Sequence, residues 1–410
     1  MKVLGSRKIL LLVGGGIAAY KAPLLVRELI ANGAEVRCVL TANAAQFVAP
    51  LALQTVSNHA VASDLFDPQR EEQINHIELA RWPDAILVAP ATANLLARAA
   101  AGMANDLATT LLLATAAPIV LAPAMNTHMW RHPATQSNLR TLKSFGHRVI
   151  APSVGELACG EEGEGRQPDA DVLVEHIAMA LSPQPLEGKK VVIATGPTRE
   201  FLDPVRFLSN PSTGKMGVAL ARAASWLGAE VSLVSGPGVE VGPALVLKEW
   251  VRVETVSQMA AAVFAAMEGA DWLFMPAAVG DWSVKDVLTS KRKKSASSDE
   301  TWTLELVRTI DILAAAVQRR VGTRPRIVGF SAETDDREEN AALKLRRKGC
   351  DAILANWVRS AHGDSFGADS IELVAIGADG WRETFSGSKL SVAAALLPRL
   401  IDRLEGDAHE

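Results

Sequence analysis

Three cysteines in 410 residues, with no Cys-x-x-Cys pair, are too few and too scattered for a disulfide framework or a sulfur-rich zinc site. Their scarcity points to a reducing, cytoplasmic setting. Charge of one sign is also lacking. The chain has 42 lysines and arginines against 46 aspartates and glutamates, a net charge of −4, so no basic surplus calls for a nucleic-acid partner. Long hydrophobic runs are missing too. The N-terminal KILLLVGGGIAAY is short for a bilayer span and interrupted by glycine, and it has no signal-cleavage pattern. No membrane association is expected.

Apolar residues make up 49% of the chain and charged residues 21%, the balance of a globular protein rather than a disordered one. A chain of 410 residues exceeds what one core usually serves, so two domains are expected. Apolar runs alternate with helical patterns: RKILLLVG, a helix over 17–32, EVRCVLT, DAILVAP, APIVLAP and HRVIAP. The stretch SPQPLEG (182–188) breaks the pattern and reads as a linker between domains at 1–181 and 189–410. Beyond it come KKVVIATG, a helix over 215–228, AEVSLVSG, DWLFMPAAV, RPRIVGFSAET, a helix over 336–348, CDAILAN and a last helix over 388–404. Short apolar strands with helices between them predict α/β architecture: two doubly wound, Rossmann-like domains with mainly parallel sheets, the first flavodoxin-like.

Gly14-Gly15-Gly16-Ile17-Ala18-Ala19 fits a GxGxxA turn between strand and helix. Such a turn lets backbone approach a phosphate. The plain alternative is tight helix–sheet packing. A nicotinamide dinucleotide site would add an acid at the tip of the second strand, but that strand ends Thr41-Ala42-Asn43. A hydroxyl and an amide suit a mononucleotide better.

The motifs GGIAAYK, INHIELARWPD, APATANLLARAAAGMANDL, PAMNTHMW and LACGEEGEGR resemble those of the flavin-dependent cysteine decarboxylases. Over nearly its whole length the chain resembles the family that fuses a phosphopantothenoylcysteine decarboxylase to a phosphopantothenate–cysteine ligase in coenzyme A synthesis. The resemblance implies FMN, held by Gly16, Ile17, Thr41, Asn43, Phe47, Thr92 and Met125. It implies that Asn126 holds the substrate carboxylate, that His76 acts on the thiol or organises the site, and that Cys159 donates the final proton from a glycine-rich flap. Oxidation at the cysteine thiol would give the departing CO2 an electron acceptor. His128 and His132 have no third ligand that would make a metal site, and Trp130 is expected to pack.

In the second half, SNPSTGK is not a Walker A loop, because Ser209 and Met216 break that pattern. It is still a hydroxyl- and glycine-rich loop feeding a helix. By resemblance Asn210 contacts the acyl intermediate, with Arg206 nearby. PAAVGDW followed by the basic run 291–294 matches the ligase's nucleotide motif, although a charge run is also an ordinary solvated face. The resemblance implies CTP contacts from Pro276, Ala277, Asp281, Lys291, Asp311, Ile312, Phe330, Lys344 and Lys348, with Mg2+ on the phosphates and Lys291 stabilising charge as acyl-cytidylate forms. The metal's ligands are not assigned. Thr309-Ile310, Gly280 and Trp357 depart from the family pattern, which opens an alternative: a flavin decarboxylase of a thiol substrate with a degenerate C-terminal domain. A non-catalytic flavoprotein regulator is a third class. The family also implies a homo-oligomer, a dodecamer built from trimers of the first domain and dimers of the second, with FMN near a subunit boundary.

Overall fold

Five of the six residues in Lys8–Val13 are fully buried and apolar, so this strand (β1) must be covered on both faces. The computed structural model describes residues 2–65, 76–158, 160–293, 301–358 and 367–406. It divides into two compact units, Met1–Ser182 and Pro183–Glu410.

In the first unit β1 pairs in parallel with β2 (Glu35–Leu40) and with β3 (Ala85–Ala91). Strands β4 (Ile119–Pro123) and β5 (Arg148–Val149) follow, also in parallel, giving the order β2-β1-β3-β4-β5. The order reverses at β1, which opens a crevice at the carboxyl ends of β1 and β3. Leu10, Leu12, Ile86, Val88 and Leu121 build one core face.

The helix expected over 17–32 is two elements. A 3-10 turn covers Ile17–Lys21, and the α-helix is Ala22–Ala31. Pro23 explains the break: its ring would clash with a carbonyl one turn back in a continuous helix, but fits the first turn of a new one. The strand expected over 147–152 is cut to two residues. The chain then turns into a hairpin the sequence pattern did not reveal, β6 (Ser153–Glu156) against β7 (Glu162–Arg166).

In the second unit β8 (Lys190–Thr195) starts a larger sheet. Two small hairpin strands, β9 (Arg199–Phe201) and β10 (Phe207–Ser209), pair with each other. The sheet continues with β11 (Glu230–Ser235), β12 (Glu249–Arg252) and β13 (Trp272–Met275). A second small pair, β14 (Trp282–Val284) and β15 (Leu306–Arg308), precedes β16 (Arg326–Glu333), β17 (Ala352–Trp357), β18 (Ser370–Gly377) and β19 (Arg382–Ser388). The order is β12-β11-β8-β13-β16-β17-β18-β19, with the last two strands antiparallel. Its first six strands have the doubly wound order whose crevice lies between β8 and β13. Trp272 and Phe274, two apart and therefore on one face, stack with ring centroids 5.7 Å apart. The Trp272 indole N–H donates to Glu405 at 3.1 Å.

Candidate active sites

A Cβ on Gly15 would overlap the Asn43 side chain, and one on Gly14 would overlap the Pro90 carbonyl oxygen. Glycine is what lets the exit of β1 pass this close to the ends of β2 and β3. At these strand ends lies a cavity of about 1030 Å³. Gly16, Ile17, Thr41, Asn43, Thr92, Met125 and Asn126 line it. Phe47 and His76 are not among the lining residues. Phe47 is exposed after the 3-10 turn Ala44–Gln46, and His76 is half-buried at the head of the helix His76–Arg81.

The lining is held by local hydrogen bonds. The Thr92 hydroxyl accepts from the Leu95 N–H at 3.3 Å and caps the helix Ala93–Ala100. From that helix Arg98 reaches Asp106 at 2.6 Å and Asn105 at 3.0 Å. Asp106 caps Leu107–Ala114 in a reciprocal box with Thr109. Burial pushes the Asp106 carboxyl up, but the Thr109 hydroxyl and N–H, together with Arg98, outweigh it and hold the pKa below the usual range. Arg98, Asn105 and Asp106 all line the cavity, and sequence reasoning did not single them out. Backbone groups of the glycine turn, hydroxyls, amides and the guanidinium groups of Arg98 and Arg166 fit the phosphate, ribityl and ring edge of a flavin mononucleotide. Met125 adds an apolar wall.

Asn126 caps the short helix Thr127–Arg131. Its Oδ1 accepts from the His128 N–H at 2.8 Å, which turns Nδ2 outward, and Nδ2 donates to the Glu161 carboxylate at 2.8 Å. The hairpin carrying Glu161 docks on the same segment. The Met125 N–H donates to the Gly165 carbonyl at 3.0 Å, and the Thr127 hydroxyl to the Glu164 carbonyl at 2.9 Å. Cys159 lies outside the described residues. Trp130 packs against the core of this unit. The His132 Nδ1 accepts from the Ala134 N–H at 3.1 Å and caps the helix Pro133–Ser144.

A cavity of about 1040 Å³ lies at the strand ends of the second unit. Asn210, Pro276, Ala277, Asp281, Asp311, Ile312, Phe330, Lys344 and Lys348 line it. Asn210 Nδ2 donates to the Val279 carbonyl at 3.0 Å. Lys344 Nζ donates to the Phe330 carbonyl at 2.8 Å. Burial lowers the Lys344 pKa from the ordinary lysine value, with Glu333 and Asp281 opposing. Asp311 accepts from the Ala314 N–H at 3.0 Å, capping the helix Ile312–Arg319, and its carboxylate pairs with Lys348.

Lys291 and Arg206 are not among the lining residues. Arg206 pairs at 2.7 Å with Asp203, which is fully buried. The same two residues grip the basic loop: the Arg292 N–H donates to Asp203 at 3.3 Å, and Arg206 donates to the Arg292 carbonyl at 3.3 Å. The Arg292 guanidinium lies over Trp302, 4.8 Å from the ring centroid. Lys294 lies outside the described residues. The Arg206 guanidinium therefore steadies the root of the loop, rather than lining the cavity as its expected substrate contact would require.

Two departures from the family pattern touch each other. The Thr309 hydroxyl donates to the Gly280 carbonyl at 2.6 Å, and the Gly280 N–H donates to the Thr198 hydroxyl at 3.0 Å. Trp357 stands under the Arg337 guanidinium, 5.2 Å from the ring centroid, and is not a lining residue. Lys215 and Lys389, which sequence reasoning passed over as site residues, line the cavity as well. Lys215 pairs with Asp369 at 2.6 Å, and Lys389 is buried at the head of the helix Lys389–Glu405. Lys215 closes the SNPSTGK motif, which is the signal that could have found it. Nothing near Lys389 in the sequence announces it. Among the described residues no group of three or more His, Cys, Asp and Glu side chains is placed to hold a metal ion.

Residues 2–182 match the family described as Flavoprotein, and residues 186–404 match the DNA/pantothenate metabolism flavoprotein C-terminal domain. The coenzyme A biosynthesis bifunctional protein CoaBC of Vibrio cholerae is 45% identical over 97% of this chain and 98% of its own. Its counterpart in Bacillus subtilis is 45% identical over 97% of both chains. A crystal structure of a CoaBC C-terminal domain is 35% identical, covering 55% of this chain and all of its own, with a TM-score of 0.45. With a flavoprotein half followed by a pantothenate-metabolism half, and full-length relatives of this similarity, the chain belongs to the family of bifunctional coenzyme A biosynthesis proteins.

Proposed function

We propose that this chain is the bifunctional enzyme for two consecutive steps of coenzyme A synthesis. In the second unit, the carboxylate of 4′-phosphopantothenate attacks CTP, releasing pyrophosphate and forming an acyl-cytidylate. The amine of cysteine then displaces CMP. In the first unit, the resulting phosphopantothenoylcysteine loses CO2 to give 4′-phosphopantetheine. The observation that carries this reading is the convergence of Gly16, Thr41, Asn43, Thr92, Met125 and Asn126 on one cavity at the strand ends of a flavoprotein fold.

FMN bound there supplies hydride acceptance from the sulfur-bearing part of the substrate and its later return. Asn126 orients the substrate carboxylate through its outward Nδ2 without neutralising it, so the carboxylate keeps the charge it must lose as CO2. Met125 walls the pocket, and Cys159 hands a proton to the carbon that CO2 leaves. His76 and Phe47 we assign to the cavity of a neighbouring copy, in keeping with a flavin close to a subunit boundary.

In the second cavity Asn210 holds the acyl group, while Lys344, Lys348 and Asp311 face the CTP base and ribose. The basic loop brings Lys291 to the phosphates, where Mg2+, if bound, would offset their charge. Arg206 steadies that loop.

The test is one incubation of purified protein with 4′-phosphopantothenate, cysteine, CTP and Mg2+, read by mass spectrometry. The expected result is CMP, pyrophosphate and 4′-phosphopantetheine, with FMN released on denaturation. A product that keeps its carboxyl group would leave only a ligase. Absence of CMP would exclude the ligase, and phosphopantothenoylcysteine supplied directly would then test the decarboxylase alone.

A further inference from the structure

The carboxylate that Asn126 is proposed to receive has a resident counterpart. Nδ2 of Asn126 donates to Glu161 at 2.8 Å, and the Oδ1–His128 bond at 2.8 Å favours this orientation of the amide. Glu161 is itself fixed in place. It closes the turn of the β6–β7 hairpin, its carbonyl accepting from the Leu157 N–H at 2.8 Å, and the hairpin is pinned to Met125 and Thr127 by the bonds described above. From this geometry we propose that Glu161 is a specificity-determining residue of the decarboxylase. Its carboxylate occupies the amide of Asn126 until the substrate carboxylate displaces it, and returns when that carboxylate has gone. The inference rests on the decarboxylase reading above.

Two carboxylates at one amide donor repel each other, so a ligand carboxylate and Glu161 exclude one another there. The net reaction takes up one proton, breaks the carbon–carboxyl bond and releases CO2, leaving a product with no carboxylate to compete. Substrate must therefore push Glu161 away, whereas product does not. Glu161 follows Cys159 by two residues in the sequence, so the exchange takes place beside the proposed proton donor along the chain.

Binding to the FMN-loaded full-length enzyme tests this by calorimetry, with two alcohols that replace the reactive thiol and do not turn over. One is phosphopantothenoylserine and the other is its decarboxylated counterpart. Glu161→Ala and Glu161→Gln are expected to tighten the carboxylate-bearing alcohol several-fold and to leave the decarboxylated one unchanged. Bound-flavin absorbance certifies each variant's fold, and either variant alone suffices. If both alcohols shift alike in the variants, or the acid binds more weakly, carboxylate exchange is wrong while the decarboxylase reading stands. If wild-type enzyme binds neither alcohol, the decarboxylase reading fails and this inference with it.

Discussion

His176 lies in the helix Ala170–Leu181, with its Nδ1 buried and without a hydrogen-bond partner among the described residues. Burial, reinforced by the charge of Arg148, pulls its pKa from 6.5 down to about 4. The unfolded chain then binds a proton at a pH where the folded chain does not. The neutral ring's contribution to stability is complete above pH 6.5 and is lost as pH falls from there through about 4. A His176→Leu variant should show a smaller drop in midpoint temperature between pH 7 and pH 5 than the wild type, measured by circular dichroism. Equal drops would contradict this origin. No sequence pattern reveals such a residue, because its environment is assembled from distant segments. Asn126 is different: an amide at the end of an apolar strand, between two methionines, stands out from the order of residues alone. Lys389 shows the opposite case, a cation brought to the second cavity by the fold alone.

At the scale of elements, strands were the most legible features, since fully buried runs such as Leu10–Val13 and Ile86–Val88 have few other readings. Helix starts were less so, as the break before Pro23 shows. The hairpins β6–β7 and β9–β10 and the small pair β14–β15 were missed altogether. Their strands are only three to five residues long and mostly exposed or half-covered, so they carry little periodic signal. The hairpin β6–β7 depends on Gly165, whose φ is +153°, where a Cβ would run into the Met125 carbonyl oxygen. Gly165→Ala should strain this docking by on the order of 1–3 kcal/mol. The expected outcome is retained flavin with a decarboxylation rate at least tenfold lower, read by single-turnover product formation. Wild-type rates would show that the docked position is not the active one.

For the whole molecule, the alternation of strand and helix predicted mainly parallel α/β sheets, and both large sheets have that character. The antiparallel edge β18–β19 was not foreseen, because its connection is a short turn rather than a helix. His76 and Phe47 stand outside the lining of their own cavity, which sets up a clear expectation. Mixing a His76→Asn variant with an Asn126→Ala variant, each inactive as a decarboxylase, and allowing subunits to exchange should restore part of the activity. Some cavities would then draw an intact Asn126 from one copy and an intact His76 from another. Persistent inactivity after verified exchange would place His76 in its own subunit's chemistry.

The stacked pair Trp272 and Phe274 has a practical consequence. An indole sealed from water and bonded to Glu405 of the last helix emits toward the blue, and its light shifts red once that helix lets go. With the other eight tryptophans replaced, Trp272 becomes an optical gauge of the pantothenate-metabolism half, while a flavin bound to the other half reports at wavelengths where tryptophan is silent.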